Sequence, residues 1–415
     1  MKAYHRMKKI LFTPLGKRMS KDDINESRGV ALIMVMIGMI LVSAIGLDMQ
    51  NDEQMRFRLA VNTRDSVRAQ ALAQGALNWS RLFITLQTKI QDALTPLLAK
   101  GLITLPANTV WDLVSIDNAK LSMLISGQLA DLLFPEKKEA EAEAHKSGIM
   151  FGNFDGDFSI EVVDEESKIS INEFGTTTNQ DKKNRIRKML LNLIISPRYD
   201  DIFDTGNFSG KVDRPTLVAN IFDWLDWDDL RTDPYEVEDA KWGRMGSGSE
   251  TEQYQEEGST KPKNAFVDSL HELRLVKGVD DEIEQAFFDA ITIYGEGGKI
   301  NILSAKDQVI EALMRFCAAN PEDPLLENPE FVDTMVKKWK DYGKTGGFVS
   351  ATGFMTYLES NELKVNRPLC QGSIGDKSIN FTLTAKATVN GVTRTLTLVT
   401  RIVQNAEEIY YFRNR

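Results

Sequence analysis

The densest concentration of reactive side chains is Asp223-Trp224-Leu225-Asp226-Trp227-Asp228-Asp229, continuing through Asp233, Glu236, Glu238 and Asp239. Between residues 223 and 239 stand eight acids and one base, Arg231. Oxygen ligands crowded at loop spacing suit a hard cation such as Ca²⁺, and without a cation their repulsion opposes folding of the loop. A solvated acidic loop after an aromatic-rich helix has the same composition, so spacing alone leaves both readings open.

Two other constellations are weaker. Asn153, Asp155 and Asp157 alternate as at the start of an EF-hand loop, but Phe158 stands where that loop needs glycine and Asp164 where it needs glutamate. A turn leading into a strand is expected there. The run from Leu273 to Asp280, LRLVKGVD, resembles a helix-hairpin-helix, whose backbone N–H groups cradle a DNA phosphate. Its second hairpin glycine is missing and Asp280-Asp281 would repel the anion, so a packing unit is expected. His5, His145 and His271 lie far apart, and Cys317 and Cys370 form no short-spaced pair, which argues against a closed zinc site. No Walker loop, HExxH or GxSxG occurs, and no nucleophile, base and orienter can be named together; the chain reads as non-enzymatic. With 60 acids against 50 bases in 415 residues, the net charge of −10 has the wrong sign for coating phosphates.

These residues need elements to hold them. Residues 1–29 carry eight bases, among them Lys8, Lys9 and Arg28, against three acids, a balance that favours retention in the cytoplasm. Val30 to Leu47 is an uncharged run of 18 residues. As a helix it spans about 27 Å of hydrocarbon. The next proline is Pro96, and Leu72, Ala76, Trp79, Phe83, Leu86, Ile90 and Ala93 recur at helical spacing, so one helix is expected over 30–95. A variable region follows to about 150. Phe158, Ile160 and Val162, then Ile169 and Ile171, predict two short strands joined by a polar turn at Asp164 to Ser167. Helical patterns dominate 181–365. Two loose echoes run through this stretch: Ala265 to Leu270 recurs at Gly347 to Thr352, and Lys299-Ile300-Asn301-Ile302 repeats the Lys168 signature. The chain then returns to period two on either side of Asn390-Gly391, a strong hairpin signal. Strands before and after a helical block imply an α+β fold with the helices inserted.

Arg28-Gly29 followed directly by an apolar helix resembles the class III leader of type IV pilin-like proteins, which a prepilin peptidase cuts after the glycine. By that resemblance Val30 becomes the mature N-terminus. Most such subunits carry glutamate at the fifth mature position, where this chain has Met34. A carboxylate in hydrocarbon is costly unless paired, so a subunit with no neighbour above it gains nothing from one. In this the chain resembles the K-type minor pseudopilins of type II secretion systems. Lys168-Ile169-Ser170-Ile171-Asn172 is similar to a strand motif of that family. Asp223 to Asp228 with Glu238-Asp239 is similar to its acidic loop, although Glu236-Val237 replaces the usual Gly-Ala.

The resemblance covers nearly everything from 28 to 403. It implies a pilin-like fold: a leader (1–29), a long helix (30–95, transmembrane over 30–47), a variable region with the first strands (96–180), an inserted helical domain (181–365) and C-terminal strands (366–415). It implies Ca²⁺ bound by Asp226, Asp228, Glu238 and Asp239. The implied function is at the tip of the type II secretion pseudopilus, initiating or capping assembly for protein export across the outer membrane. The implied partners are other minor pseudopilins, the major pseudopilin and the prepilin peptidase. The implied location is the bacterial inner membrane, single pass, with the C-terminal domain in the periplasm; no nucleic-acid partner is expected. In that compartment a Cys317–Cys370 bridge is permitted and would tie the helical domain to the C-terminal strands; two buried free thiols are the alternative. The alternatives are a minor pilin of a type IV pilus and a membrane-anchored DNA-uptake receptor using the 273–280 segment.

Overall fold

The computed structural model describes residues 21–98, 156–204, 212–234, 245–254, 261–295, 298–344, 350–375, 377–403 and 406–415. A single 78-residue helix, α1, runs from Lys21 to Leu98. It starts before the expected position and passes through Gly29 without a break, since no proline interrupts it before Pro96. Its apolar window is unburied and is long enough to cross a membrane. The chain divides into two compact units, Met1–Arg68 and Ala69–Arg415.

After α1 the second unit contains β1 (Asp157–Asp164), β2 (Ile169–Ser170), α2 (Asn172–Thr176), α3 (Gln180–Ile194), α4 (Asp200–Asp204), α5 (Arg214–Leu225), β3 (Leu230–Thr232) and β4 (Met245–Ser249). There follow α6 (Asp281–Phe287), β5 (Ile291–Thr292), β6 (Ile300–Asn301), α7 (Asp307–Cys317), α8 (Pro329–Lys344), α9 (Ala351–Ser360) and α10 (Arg367–Gln371). The last strands are β7 (Ile374–Gly375), β8 (Asn380–Val389), β9 (Val392–Val403) and β10 (Ala406–Asn414).

β1, β8, β9 and β10 form, in that order, one antiparallel sheet. Asp164 of β1 faces Phe381 of β8, so everything between them in sequence is an insertion between neighbouring strands. Alternation puts Phe158, Ile160, Phe381, Leu383, Leu396, Leu398 and Ile402 on one face, where they bury Ala73, Leu77 and Ile84 of α1. The side chains of Leu86, Ile90 and Ala93 lie outside the described residues. The β8–β9 hairpin turns at Asn390 (φ 49°) and Gly391 (φ 82°), the positive dihedrals of a type I′ turn.

The expected pairing of the two early strands is not what forms. β2 pairs in parallel with β5, Ile169 against Ile291, and not with β1. The intervening Glu165–Ser167 is a buried 3₁₀ turn that redirects the chain, with the Asp164 carboxylate accepting from Glu166 N at 2.9 Å. The echo at Lys299 is a structural repeat: β6 pairs in parallel with β7, Ile300 against Ile374. Ile171 N donates to Thr292 O at 3.0 Å, as Ile302 N does to Gly375 O at 3.2 Å. Gly347 to Val349 of the second echo lie outside the described residues.

Three further differences are local in extent. Leu270–Leu275 is a 3₁₀ helix, not an α-helix. The pattern after Asp281 ends at Phe287, because the β-branched Ile291-Thr292 takes up β5. Beyond the Asn390-Gly391 hairpin, a third C-terminal strand, β10, is added to the sheet edge.

The helices enclose a second core that draws on residues from Ile169 to Ile374, wider than the expected 181–365, with Phe222, Trp224, Leu313, Trp339 and Phe354 fully buried. Cys317 and Cys370 form a disulfide with Cα atoms 4.8 Å apart. It joins α7 to α10 inside this helical core; a bridge between helices and sheet was the expectation.

Candidate functional site

The acidic residues are built around the end of α5. Asp213 starts this helix by accepting from Thr216 N at 3.1 Å, and nearly every side chain from Leu217 to Leu225 is buried, so the last turn is held from all sides. Asp223 lies in that turn, only 3 % exposed, and Asp226 caps its end. Gly175 allows α2 to approach: a Cβ there would stand 2.4 Å from the Leu225 carbonyl oxygen. Trp227 donates to Gly175 O at 2.9 Å and ties the following loop to α2.

β3 and β4 then pair, Leu230 against Ser249, and return Glu250 to the helix end. Glu250 is 1 % exposed, and its amide donates to Asp229 O at 3.2 Å. One carboxylate oxygen from each of Asp223, Asp226 and Glu250 lies within 4.8 Å of the others. Asp223 spends Oδ1 on Thr232 N at 2.9 Å. Its Oδ2, Asp226 Oδ1 and both Glu250 oxygens are buried without a hydrogen-bond partner.

Burial, followed by the charges of the neighbouring acids, pushes Asp226 up to about 7 and Glu250 up to about 9. Asp223 is raised to about 6, mainly by burial, and its hydrogen bond with Thr232 works against the shift. Orphaned buried carboxylate oxygens are costly. Their chemistry fits a hard divalent cation, because two oxygens that each bind Ca²⁺ at about 2.4 Å lie no more than about 4.8 Å apart.

Of the expected ligands, Asp226 stands in this cluster. Asp228 is exposed beside it, its carboxylate accepting from Leu230 N at 2.9 Å. Glu236, Glu238 and Asp239 lie outside the described residues. Asp223 and Glu250 complete the cluster although neither was in the expected ligand set. Asp223 was legible as part of the acidic run, whereas no spacing rule connects Glu250 to Asp226.

In and just after the hairpin-like segment several amides are committed within the fold. Lys277 N donates to the Tyr254 hydroxyl at 3.1 Å, Val279 N to Val276 O at 3.1 Å, and Ile283 N to the Asp280 carboxylate at 2.9 Å. His271 Nδ1 lies 2.8 Å from Glu284 Oε1, while His5 and His145 lie outside the described residues. Asp157 opens β1 opposite Thr388, and Asn153 and Asp155 also fall outside. Gly29, Val30 and Met34 lie on α1, with Met34 exposed; residues 1–20 are not described.

No family model and no curated protein matches this chain. Among solved structures it is similar to a chain in the crystal structure of the GspK-GspI-GspJ complex from the enterotoxigenic Escherichia coli type 2 secretion system. The identity is 15 %, the match covers 79 % of this chain and 99 % of that one, and the TM-score is 0.43.

Proposed function

We propose that this chain is a minor pseudopilin at the tip of a type II secretion pseudopilus, where it initiates or caps assembly with other minor pseudopilins. The observation that carries the reading is α1: one unbroken helix whose uncharged first part suits a bilayer and whose later turns, from Ala69 to Ile84, bury a stripe on a four-stranded sheet. The helical domain is inserted between β1 and β8, which leaves that helix-on-sheet module intact. Arg28-Gly29 before the apolar run supports cleavage by a prepilin peptidase to leave Val30 as the N-terminus. Met34 supports a position with no subunit above it. The apolar part of α1 anchors the chain in the inner membrane and the second unit lies in the periplasm.

Ca²⁺ in this reading is held by Asp223, Asp226 and Glu250, and Asp228 adds negative charge at the rim. Glu238 and Asp239 are the candidates for the remaining oxygens by resemblance. The ion would pin the end of α5 to the β3–β4 hairpin, a structural role with no bond-breaking chemistry.

The test is the intact mass and N-terminal sequence of the protein from membranes, with and without active prepilin peptidase. A peptidase-dependent start at Val30 is expected. An intact leader in both cases would make the chain a plain signal anchor and remove the filament reading.

A further inference from the structure

A cleft lined by residues of β2 and β6 belongs neither to the sheet module nor to the acidic cluster. Glu173 of α2 and Arg185 of α3 complete its wall, and Ile169, Ile186, Met189 and Ile300 give it an apolar floor. Its enclosed part measures about 30 Å³, the scale of one small head group, and it opens into a mouth of about 380 Å³.

The two halves of the structural repeat are unequally charged around it. Lys168 and Lys299 hold the same place before β2 and β6, and both line the cleft. Lys168 is neutralised by Glu165 at 3.2 Å. Lys299 is exposed, and among the described residues it has no acceptor. Arg185 also lacks a counter-ion: its Nη1 reaches only the Gly372 carbonyl, at 3.4 Å, and its Nε is buried with no partner. Gly372 makes room for that guanidinium, since a Cβ there would stand 2.7 Å from Nη1. Two unpaired cations thus border one small cleft.

The acids nearby do not answer them. Burial, then the Asp164 charge, raises Glu166 to about 8, so this acid is protonated at neutral pH. Glu173 is 7 % exposed; Lys182 Nζ donates to its Oε1 at 3.0 Å, while its Oε2 is buried with no partner. That oxygen lies 3.6 Å from where a Gly298 Cβ would stand, at the wall of the cleft.

A bare carboxylate would satisfy the cations and leave Glu173 Oε2 stranded; a bare amine would do the reverse. A group that carries both satisfies all three. Its carboxylate accepts from Arg185 and Lys299, the N–H on the adjoining carbon donates to Glu173, and a short apolar side chain rests on the floor.

We infer that this cleft binds an α-carboxylate together with its neighbouring N–H and a short apolar side chain, the chemistry shared by a polypeptide C-terminus and a free amino acid. The site rests on the cleft alone and is independent of the pseudopilus reading.

The experiment is titration of the full chain in detergent micelles with N-acetyl-L-alanine, L-alanine, N-acetyl-L-alanine methylamide and acetate, read by saturation transfer to the probe in NMR. One or both of the first two should bind. Tighter binding of N-acetyl-L-alanine assigns the site to a chain end, and tighter binding of L-alanine assigns it to a free amino acid. The methylamide lacks the carboxylate and acetate lacks the N–H and side chain, so each should bind about tenfold or more weakly. Arg185→Gln and Lys299→Gln should each weaken binding by about tenfold. Lys299 is exposed, so its variant keeps the fold and decides the matter if Arg185→Gln does not fold. No transfer to either amino-acid probe overturns the inference. So does acetate binding as tightly as they do, which would leave an adventitious oxyanion site only, or binding indifferent to Lys299→Gln.

Discussion

The sheet module and the inserted helical domain solve the same problem in different ways. The module is one helix laid on regular strands, and its core comes from side chains repeating at the periods of helix and strand. The helical domain is assembled from short elements, none longer than the 16 residues of α8, which are marginal alone. It relies on staples. Side-chain caps begin α3, α5, α6 and α9 at Asn179, Asp213, Asp280 and Ser350. A disulfide joins α7 to α10, and the buried Arg315 guanidinium reaches Glu327 at 3.1 Å. Periodic cores are stabilised locally; a core of short pieces depends on a few long-range links.

The two regions meet at the Asp164-Glu165-Glu166 turn, which is buried and polar. Asp164 accepts from Ser304, from Asn301 at 2.9 Å and from Ser378 at 2.6 Å. Glu165 bridges Thr292 of the helical domain and, at 2.6 Å, Thr382 of the sheet. Glu166 takes the Asn380 amide at 3.0 Å and its side-chain NH₂ at 2.7 Å. Three successive acids thus clamp the start of β8 to both parallel strand pairs.

The largest expected effect tests whether the regions melt separately. Phe381→Ala, in the sheet core, should cost about 3–5 kcal/mol. Calorimetry should show the loss in the sheet transition with the helical one little changed; if both fall together, the two cores are one cooperative unit and the contrast fails. Replacing Cys317 and Cys370 by alanine should cost about 4 kcal/mol, read from the helical transition.

Ca²⁺ at a hundredfold excess over its Kd should stabilise the helical transition by about 2.7 kcal/mol. EGTA should reverse that gain, and Asp226→Asn should abolish it. The pH dependence has a definite sign. Asp226 at about 7 and Glu250 at about 9 are raised above their ordinary values, so without metal their contribution is full at low pH and is lost as pH rises through those values. The chelated protein should therefore lose stability between about pH 4 and 9, and Ca²⁺ should flatten that slope.

The turn between the regions should behave likewise on a smaller scale. Burial, then the charge of Asp164, raises Glu166 to about 8, so its contribution is lost as pH rises through 8, and Glu166→Gln should remove that step from a melting-against-pH series. The smallest effect belongs to the hairpin: Gly391→Ala, at φ 82°, should cost about 1 kcal/mol in the sheet transition alone.

Much of the module was legible because its signals are local. The uncharged run after Gly29, the stripe from Leu72 to Phe83, the alternation around Asn390-Gly391 and the Lys168 and Lys299 echo each depend on neighbours a few residues apart. The acidic run from Asp223 was visible for the same reason. What tertiary structure decided depends on segments closing over long stretches of chain. Glu250 joins Asp226 only through the β3–β4 hairpin, and Asp164 to Glu166, a polar turn by composition, is buried because β6 and β8 bring it partners. β2 finds β5 and not β1, and Cys317 meets Cys370. Periodicity is written residue by residue, whereas the partner of a buried carboxylate is set by which distant backbone the core brings beside it.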